Sequence, residues 1–143
     1  MHERRILPSR NGDFEICLMR SDGANARRVT DAAGVSLPYS WSPDGRTLAF
    51  SSSRADNPSG RTAGGDLFLL DVATSKVTQL TRGPAEDAEP AFSPDGRQIA
   101  FSSTGRGARG SDLYVLTLKG HRIRRLTHFP GEEADPVWEP RRP

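Results

Sequence analysis

Short apolar runs separated by turn-forming residues make up most of the chain, and their spacing is that of β-strands. In 47–52, TLAFSS, and in 98–103, QIAFSS, apolar and polar positions alternate, which is typical of a strand with one buried face. The runs DLFLLDV (66–72) and DLYVLTL (112–118) are apolar at both alternating sets of positions, as expected for a strand between two other sheets. The pattern predicts an all-β fold.

These strand patterns recur along the chain. The segment FSPDGRQIAFSS (92–103) matches WSPDGRTLAFSS (41–52) at nine of twelve positions, and 15–30 aligns without gaps on 66–81 and on 112–127. A period of 46 to 51 residues is typical of propeller blades, in which each repeat is one supersecondary unit buried by its neighbours. We therefore expect a single domain, 1–143, with blade-like repeats at 15–53, 66–104 and 112–140 and a strand at 4–9 that completes a blade.

The Ser-Pro-Asp-Gly segments predict hairpin turns. Proline presets φ at the second turn position, aspartate tolerates the third, and glycine can adopt the positive φ that closes the hairpin. The turn residues are Pro43, Asp44, Gly45, Pro94, Asp95 and Gly96.

An aromatic residue stands at the same place in each repeat, just before these turns or their equivalent. The three residues are Trp41, Phe92 and Trp138, and we expect them to be largely buried between neighbouring sheets.

The combination of an apolar strand, an LT strand end, an acidic-Pro-x-aromatic-Ser-Pro-Asp-Gly segment and a strand ending AFSS resembles the TolB-like, WD40-like β-propeller repeat. The resemblance covers about Ile6 to Pro140 and implies a β-propeller segment of about three four-stranded antiparallel blades, half of a six-bladed propeller. It implies a non-catalytic scaffold that binds a protein partner in a periplasmic or other extracytoplasmic compartment. Because the same repeat precedes catalytic domains elsewhere, the alternative is the propeller portion of a larger prolyl oligopeptidase-like serine peptidase, or of a lyase.

The strands predicted from the repeats number one, then four, four and three. Three blades are fewer than the four to eight that usually close a propeller ring. Two hypotheses follow: the chain is a fragment of a longer propeller, or two copies associate head to tail as a homodimer with a six-bladed ring, each strand 4–9 completing the last blade of the other copy.

Two acidic segments, AEDAEP (85–90) and GEEADP (131–136), precede the predicted third strand of their repeats. They could form a partner-binding rim that attracts a basic protein or Ca²⁺, or they could be solvated loops. Their spacing is not that of a calcium loop, so we expect no metal and no cofactor. The acidic residues are Glu86, Asp87, Glu89, Glu132, Glu133 and Asp135.

Other candidate chemistry is explained by architecture. The serines of 51–53 and 102–103 recur with the repeat and lack a Gly-x-Ser-x-Gly segment, and His121 and His128 have no visible partners, so we expect no catalytic residue. GRGARG (105–110) lacks stacking aromatics, and the net charge is only +2, so nucleic acid is not an expected partner. The N-terminal segment lacks the apolar stretch of a signal peptide, and no membrane-spanning run is present.

Overall fold

The computed structural model describes residues 2–8, 14–31, 34–53, 65–107 and 109–140, which form three antiparallel sheets. Sheet 1 contains, in order, β1 (His2–Pro8), β2 (Phe14–Arg20) and β3 (Arg27–Arg28). Sheet 2 contains β4 (Ser36–Trp41), β5 (Thr47–Ser52), β6 (Asp66–Asp71) and β7 (Val77–Gln79). Sheet 3 contains β8 (Glu86–Phe92), β9 (Gln98–Thr104), β10 (Ser111–Thr117) and β11 (Arg122–Arg125). The all-β, blade-like fold expected from the sequence is confirmed.

Each sequence repeat runs from the last two strands of one sheet into the first two strands of the next. The reason is that β5, the last strand of its repeat, pairs with β4 of the same repeat and with β6 of the following repeat. In the same way, β9 pairs with β8 of its own repeat and with β10 of the following repeat. The strands therefore group differently from the count of one, four, four and three. β1 pairs with β2 of its own chain, and Ser9 at the end of the predicted strand 4–9 lies outside the described residues.

Two apolar layers hold the three sheets together. Between sheets 1 and 2 the fully buried side chains include Ile16, Leu18, Leu48, Phe50 and Leu70. Between sheets 2 and 3 they include Ala49, Leu67, Ile99, Phe101 and Leu116. Alternate residues of sheet 2 thus contribute to different layers, which explains why its central strands are apolar on both faces.

The last strand of each sheet, β3, β7 or β11, is followed within two residues by a threonine that accepts the same hydrogen bond in every sheet. The hydroxyl oxygens of Thr30, Thr81 and Thr127 accept the backbone N–H groups of Ile16, Leu67 and Leu113 at 2.8, 2.9 and 2.9 Å. This repeated bond satisfies a strand N–H group beyond the end of its neighbour. It gives a structural reason for the recurrent LT or VT pair in the sequence.

The two Ser-Pro-Asp-Gly turns have the predicted conformation. Gly45 and Gly96 have φ of +68° and +69°, and their N–H groups donate to the carbonyls of Ser42 and Ser93 at 2.9 and 2.8 Å. In each turn the serine hydroxyl donates to the aspartate, at 2.6 Å for Ser42 and Asp44. That bond, followed by a backbone N–H bond from Arg46, lowers the pKa of the exposed Asp44 carboxyl.

The three equivalent aromatic residues are half-buried, which is less than expected. Trp41 packs at the border of the layer between sheets 1 and 2, and Phe92 at the border of the layer between sheets 2 and 3. Trp138 lies in a segment without strand pairing in the described part of the chain, and its indole Nε1–H donates to the Ala91 carbonyl at 2.8 Å. All three share one position, at one edge of the sheets rather than in their centres. This edge is formed by the first strand of each sheet, β4 or β8, and by the equivalent segment 133–138, which we call the inner strands.

Candidate binding cleft

A cleft of about 450 Å³ lies where the innermost strands of successive sheets meet. Its walls come from β4, from β8 and from the segment 135–138, which runs beside β8. Aromatic rings and prolines supply most of the lining, and carboxylates from two of the three walls border it. The principal lining residues are Tyr39, Pro90, Phe92, Trp138, Glu89 and Asp135.

Bulges in the inner strands place the polar residues of the cleft. The pairing of β4 with β5 shifts register between Pro38 and Ser40, and that of β8 with β9 shifts between Ala88 and Ala91. Glu89, within the second bulge, has φ of +56°. An extra residue in one strand redirects side chains there, and such bulges are frequent next to functional sites.

Glu89 is the polar centre of the cleft. Its Oε2 accepts a hydrogen bond from the Ser102 hydroxyl at 2.8 Å and another from the backbone N–H of Asp135 at 2.8 Å. Asp135 is the equivalent residue of the next repeat and also has positive φ, +50°. One carboxylate therefore fixes the neighbouring inner segment, and the second carboxylate is exposed beside it.

The two carboxylates act on the tyrosine across the cleft. Burial raises the pKa of the Tyr39 hydroxyl, the hydrogen bond with Ser51 opposes this rise, and the negative charges of Glu89 and Asp135 add to it. The phenol is therefore neutral near pH 7 and can serve as a hydrogen-bond donor to a ligand.

The structure separates the six acidic residues that the sequence grouped as a partner-binding rim. Residues 86–89 lie in strand β8 rather than in a loop before it. Glu89 and Asp135 line the cleft, whereas Glu132 is exposed outside it. Glu86 and Glu133 are half-buried and do not line the cleft.

Asp87 is fully buried and unavailable to a partner, contrary to the rim hypothesis. Its Oδ1 accepts hydrogen bonds from the Ser103 hydroxyl at 2.5 Å and from Arg106 Nε at 3.0 Å, and its Oδ2 forms an ion pair with Arg106. The guanidinium carbon lies 5.9 Å from the centroid of the Phe101 ring. Asp87 and Arg106 thus form a structural ion pair, because a buried carboxylate requires a partner.

The repeated serines have structural partners. Ser52 exchanges a hydrogen bond with Ser36 at 2.9 Å, and Ser103 donates to Asp87. His121 and His128 are exposed. The serine hydrogen bonds are those expected of residues that fix the ends of paired strands.

Two further observations concern the described part of the chain. No three His, Cys, Asp or Glu side chains come together there in a way that could hold a metal ion. Within the same residues, no helix has the length and hydropathy required to cross a membrane.

The cleft also contains residues that the sequence pattern alone does not identify. Tyr39 lies two positions before Trp41, and Ser102 is one of the repeated serines. Neither a tyrosine nor a serine at these positions indicates from the sequence that the residue lies at the cleft. The signal that could have found Tyr39 is its place in the inner-strand segment equivalent to 86–92, which carries Glu89.

Comparison with known proteins shows the repeat. No protein-family model matches the chain. A TolB homolog of Chlorobium luteolum is 41% identical over 66 residues, which cover 46% of this chain and 14% of that protein. An uncharacterized peptidase of Bacillus subtilis, YuxL, is 30% identical over 129 residues, covering 68% of this chain and 20% of the peptidase.

Solved structures agree with these sequence matches. A TolB structure from Agrobacterium tumefaciens superposes with a TM-score of 0.76 at 26% identity, over 90% of this chain and 43% of that chain. The chain thus spans less than half the length of this structure and at most a fifth of the two curated relatives. The repeats, the antiparallel sheets and these similarities show that the chain contains a TolB-like β-propeller segment of about three blades.

Proposed function

We propose that the chain is a non-catalytic propeller scaffold that binds an extended, basic segment of a partner protein in the cleft between its inner strands. The observation that carries the proposal is the lining of the cleft, in which three aromatic rings flank two carboxylates. Protein ligands of this kind bind through aromatic and apolar contacts, with a few polar groups that fix orientation.

Charge and shape both favour an extended basic segment. Asp135 is exposed beside Glu89, and their negative charges reach Tyr39 across the cleft. A lysine or arginine side chain would be attracted to the carboxylates and could pack its aliphatic part against Trp138. The prolines of the inner walls keep this surface from pairing as an ordinary sheet edge, so recognition would rely on side chains.

The similarity to TolB supports a role in protein interaction, since one such relative is described as a Tol-Pal system protein. An extracytoplasmic location follows as part of the same proposal. Neither depends on a catalytic group within the described residues.

A second function has one observation in its favour. The similarity to a peptidase of Bacillus subtilis extends over 129 residues, so the chain could be the propeller portion of a larger hydrolase that positions a separate catalytic domain. The coding sequence on either side of this chain distinguishes the two. A downstream domain with Gly-x-Ser-x-Gly favours the hydrolase, and further blades alone favour the scaffold.

The binding proposal is tested with an array of ten-residue peptides that pair one aromatic residue with either Lys and Arg or Asp and Glu. We expect the chain to bind the basic set and not the acidic set. Asp135→Asn should weaken binding about tenfold, the loss of one charge-assisted contact, whereas the matched variant Glu132→Gln should bind like the unmodified chain. Equal binding of both peptide sets, or equal losses in the two variants, would refute the cleft as the site.

A further inference from the structure

The paired strands β8 and β9 place a carboxylate beside a serine hydroxyl at two successive levels. Asp87 lies opposite Ser103 in the strand register, and the Ser103 hydroxyl donates to its carboxylate at 2.5 Å. Ala88 lies opposite Ser102, and the bulge that follows brings the carboxylate of Glu89 within 2.8 Å of the Ser102 hydroxyl. Both serines are buried. The first arrangement lies inside the fold, and the second borders the cleft.

An arginine side chain of the same chain occupies the first arrangement. Arg106 Nε lies 3.0 Å from Asp87 Oδ1, and a terminal guanidinium nitrogen forms an ion pair with Asp87 Oδ2. The guanidinium carbon lies 5.9 Å from the centroid of the Phe101 ring and 6.0 Å from that of the Tyr114 ring. A planar guanidinium suits such a place because it can bond a carboxylate through two nitrogens and stack on aromatic rings. The chain thus shows which ligand a serine-bound carboxylate beside aromatic rings accepts.

The second arrangement has the same components, together with a carboxylate oxygen that is not used. Glu89 Oε2 accepts both the Ser102 hydroxyl and the backbone N–H of Asp135. Glu89 Oε1 accepts no hydrogen bond from the residues that the structure describes, and it is not enclosed. None of the residues that line the cleft is basic. Three aromatic residues line it: Tyr39, Phe92 and Trp138.

We propose that the second arrangement receives the guanidinium group of an arginine from the partner segment, so that the cleft selects arginine over lysine. The inference rests on the proposed function, because it names the side chain that the same cleft recognises. A guanidinium is more weakly hydrated than an ammonium group, so it loses less hydration on entering a half-buried cleft. It can bond Glu89 Oε1 and the exposed Asp135 carboxylate through different nitrogens while its planar face packs on an aromatic ring. An ammonium group has no planar face for such packing.

Ser102 is a positioning residue in this proposal and does not contact the ligand. It is only 6% exposed, and its hydroxyl holds Glu89 Oε2, which leaves Oε1 as the oxygen that faces a ligand. Without this hydrogen bond the Glu89 carboxylate can rotate. A guanidinium is affected more than an ammonium group, because its paired hydrogen bonds require a fixed geometry, whereas an ammonium group acts as a point charge. Loss of the Ser102 hydroxyl should therefore lower the selectivity for arginine more than the affinity for basic segments in general.

Matched peptides test the choice of side chain. Each basic peptide that binds the chain is compared by fluorescence anisotropy with versions in which every arginine is replaced by lysine, or by citrulline, which keeps the shape without the charge. We expect lysine to weaken binding about tenfold, the loss of one charge-assisted contact, and citrulline to weaken it further. Equal binding of the arginine and lysine peptides would overturn this inference and leave the proposed function standing, whereas failure of every basic peptide to bind would overturn both.

Two serine variants test the positioning role. Ser102→Ala should bring the ratio of arginine-peptide to lysine-peptide affinity close to one. The control, Ser52→Ala, removes another buried serine hydroxyl, whose partner is Ser36 outside the cleft, and it should leave the ratio unchanged. A general loss of stability does not change this ratio, because both peptides bind the same folded fraction. Without peptide, hydrogen exchange of the Asp135 N–H should be faster in Ser102→Ala and unchanged in Ser52→Ala, since only the first variant releases Glu89. A ratio that survives Ser102→Ala, or an unchanged exchange rate there, would overturn the role of Ser102.

Discussion

Alanine at the two equivalent turn glycines tests how much of each hairpin depends on a positive φ. Gly45 and Gly96 have nearly the same φ, +68° and +69°. A side chain in the left-handed region costs about 1–2 kcal/mol, and alanine returns about 0.4–1 kcal/mol by stiffening the unfolded chain. We therefore expect Gly45→Ala to lower the free energy of unfolding by roughly 0.5–1 kcal/mol.

Gly96 should be the more sensitive of the two. A Cβ at Gly45 would meet no heavy atom within 4 Å, whereas a Cβ at Gly96 would lie 3.3 Å from Cδ of Pro43. Overpacking a core usually costs about 1–3 kcal/mol. Because Pro43 is exposed and can move, the contact should lower the free energy of unfolding of Gly96→Ala by less than this. Valine at either position should cost more than alanine, since a β-branched residue is disfavoured at positive φ.

Urea denaturation followed by circular dichroism measures both changes. The midpoint should fall for both alanine variants and further for Gly96→Ala, without a change in the slope of the transition. Gly45→Asn serves as the control, because asparagine tolerates the left-handed region and should lose less than alanine. Unchanged or increased stability in Gly45→Ala would refute the conformational argument, and equal losses at the two glycines would refute the contact with Pro43.

Three further predictions concern buried groups. Arg106→Ala should lower the free energy of unfolding by about 3–5 kcal/mol because it leaves the Asp87 carboxylate buried without its cation, and adding Asp87→Asn should recover part of this in the same urea assay; no recovery would show that Arg106 acts by packing on Phe101 instead. Phe101→Ala, at a fully buried ring, should cost about 3–5 kcal/mol, and Phe92→Ala clearly less because Phe92 is half-buried; equal losses would contradict the observed burial. Burial, and then the charge of Asp87, raise the pKa of Asp66, so the folded state holds this proton more tightly than the unfolded state and Asp66 costs stability once the pH rises above its unfolded pKa. The stability of Asp66→Asn relative to the unmodified chain should consequently increase from about pH 4 to pH 7, and a constant difference would refute the shift.

The repeated features of the fold could be predicted from the sequence. Alternation in 47–52 and 98–103 locates β5 and β9, and the glycines of the two turns have the positive φ that their sequence requires. These features depend on residues close to one another in the chain, so a short segment contains the information. The similarity of the repeats then adds the sheet-on-sheet packing, because each copy buries its apolar positions against the next.

Sheet membership could not be predicted in the same way. β5 carries polar and apolar positions that suit pairing with β4, with β6 or with both, and alternation does not identify the neighbour. The partner of Asp87 was equally hidden, since Arg106 lies nineteen positions further along the chain and reaches the carboxylate only after β9 has paired with β8. Contacts of this kind depend on the assembled sheet.

The acidic segment before the Phe92 turn shows how one irregularity divides a sequence cluster into two roles. In a regular strand, Asp87 and Glu89 would lie on the same face because side chains alternate with a period of two. The register shift between Ala88 and Ala91 interrupts this alternation, so Asp87 is buried against Arg106 while Glu89 lines the cleft. The same bulge brings the Glu89 carboxylate to the backbone N–H of Asp135, which fixes the next inner segment at the cleft wall. A substitution that removed the bulge would therefore be expected to disturb the buried ion pair and the cleft together, because both depend on the direction of a single strand.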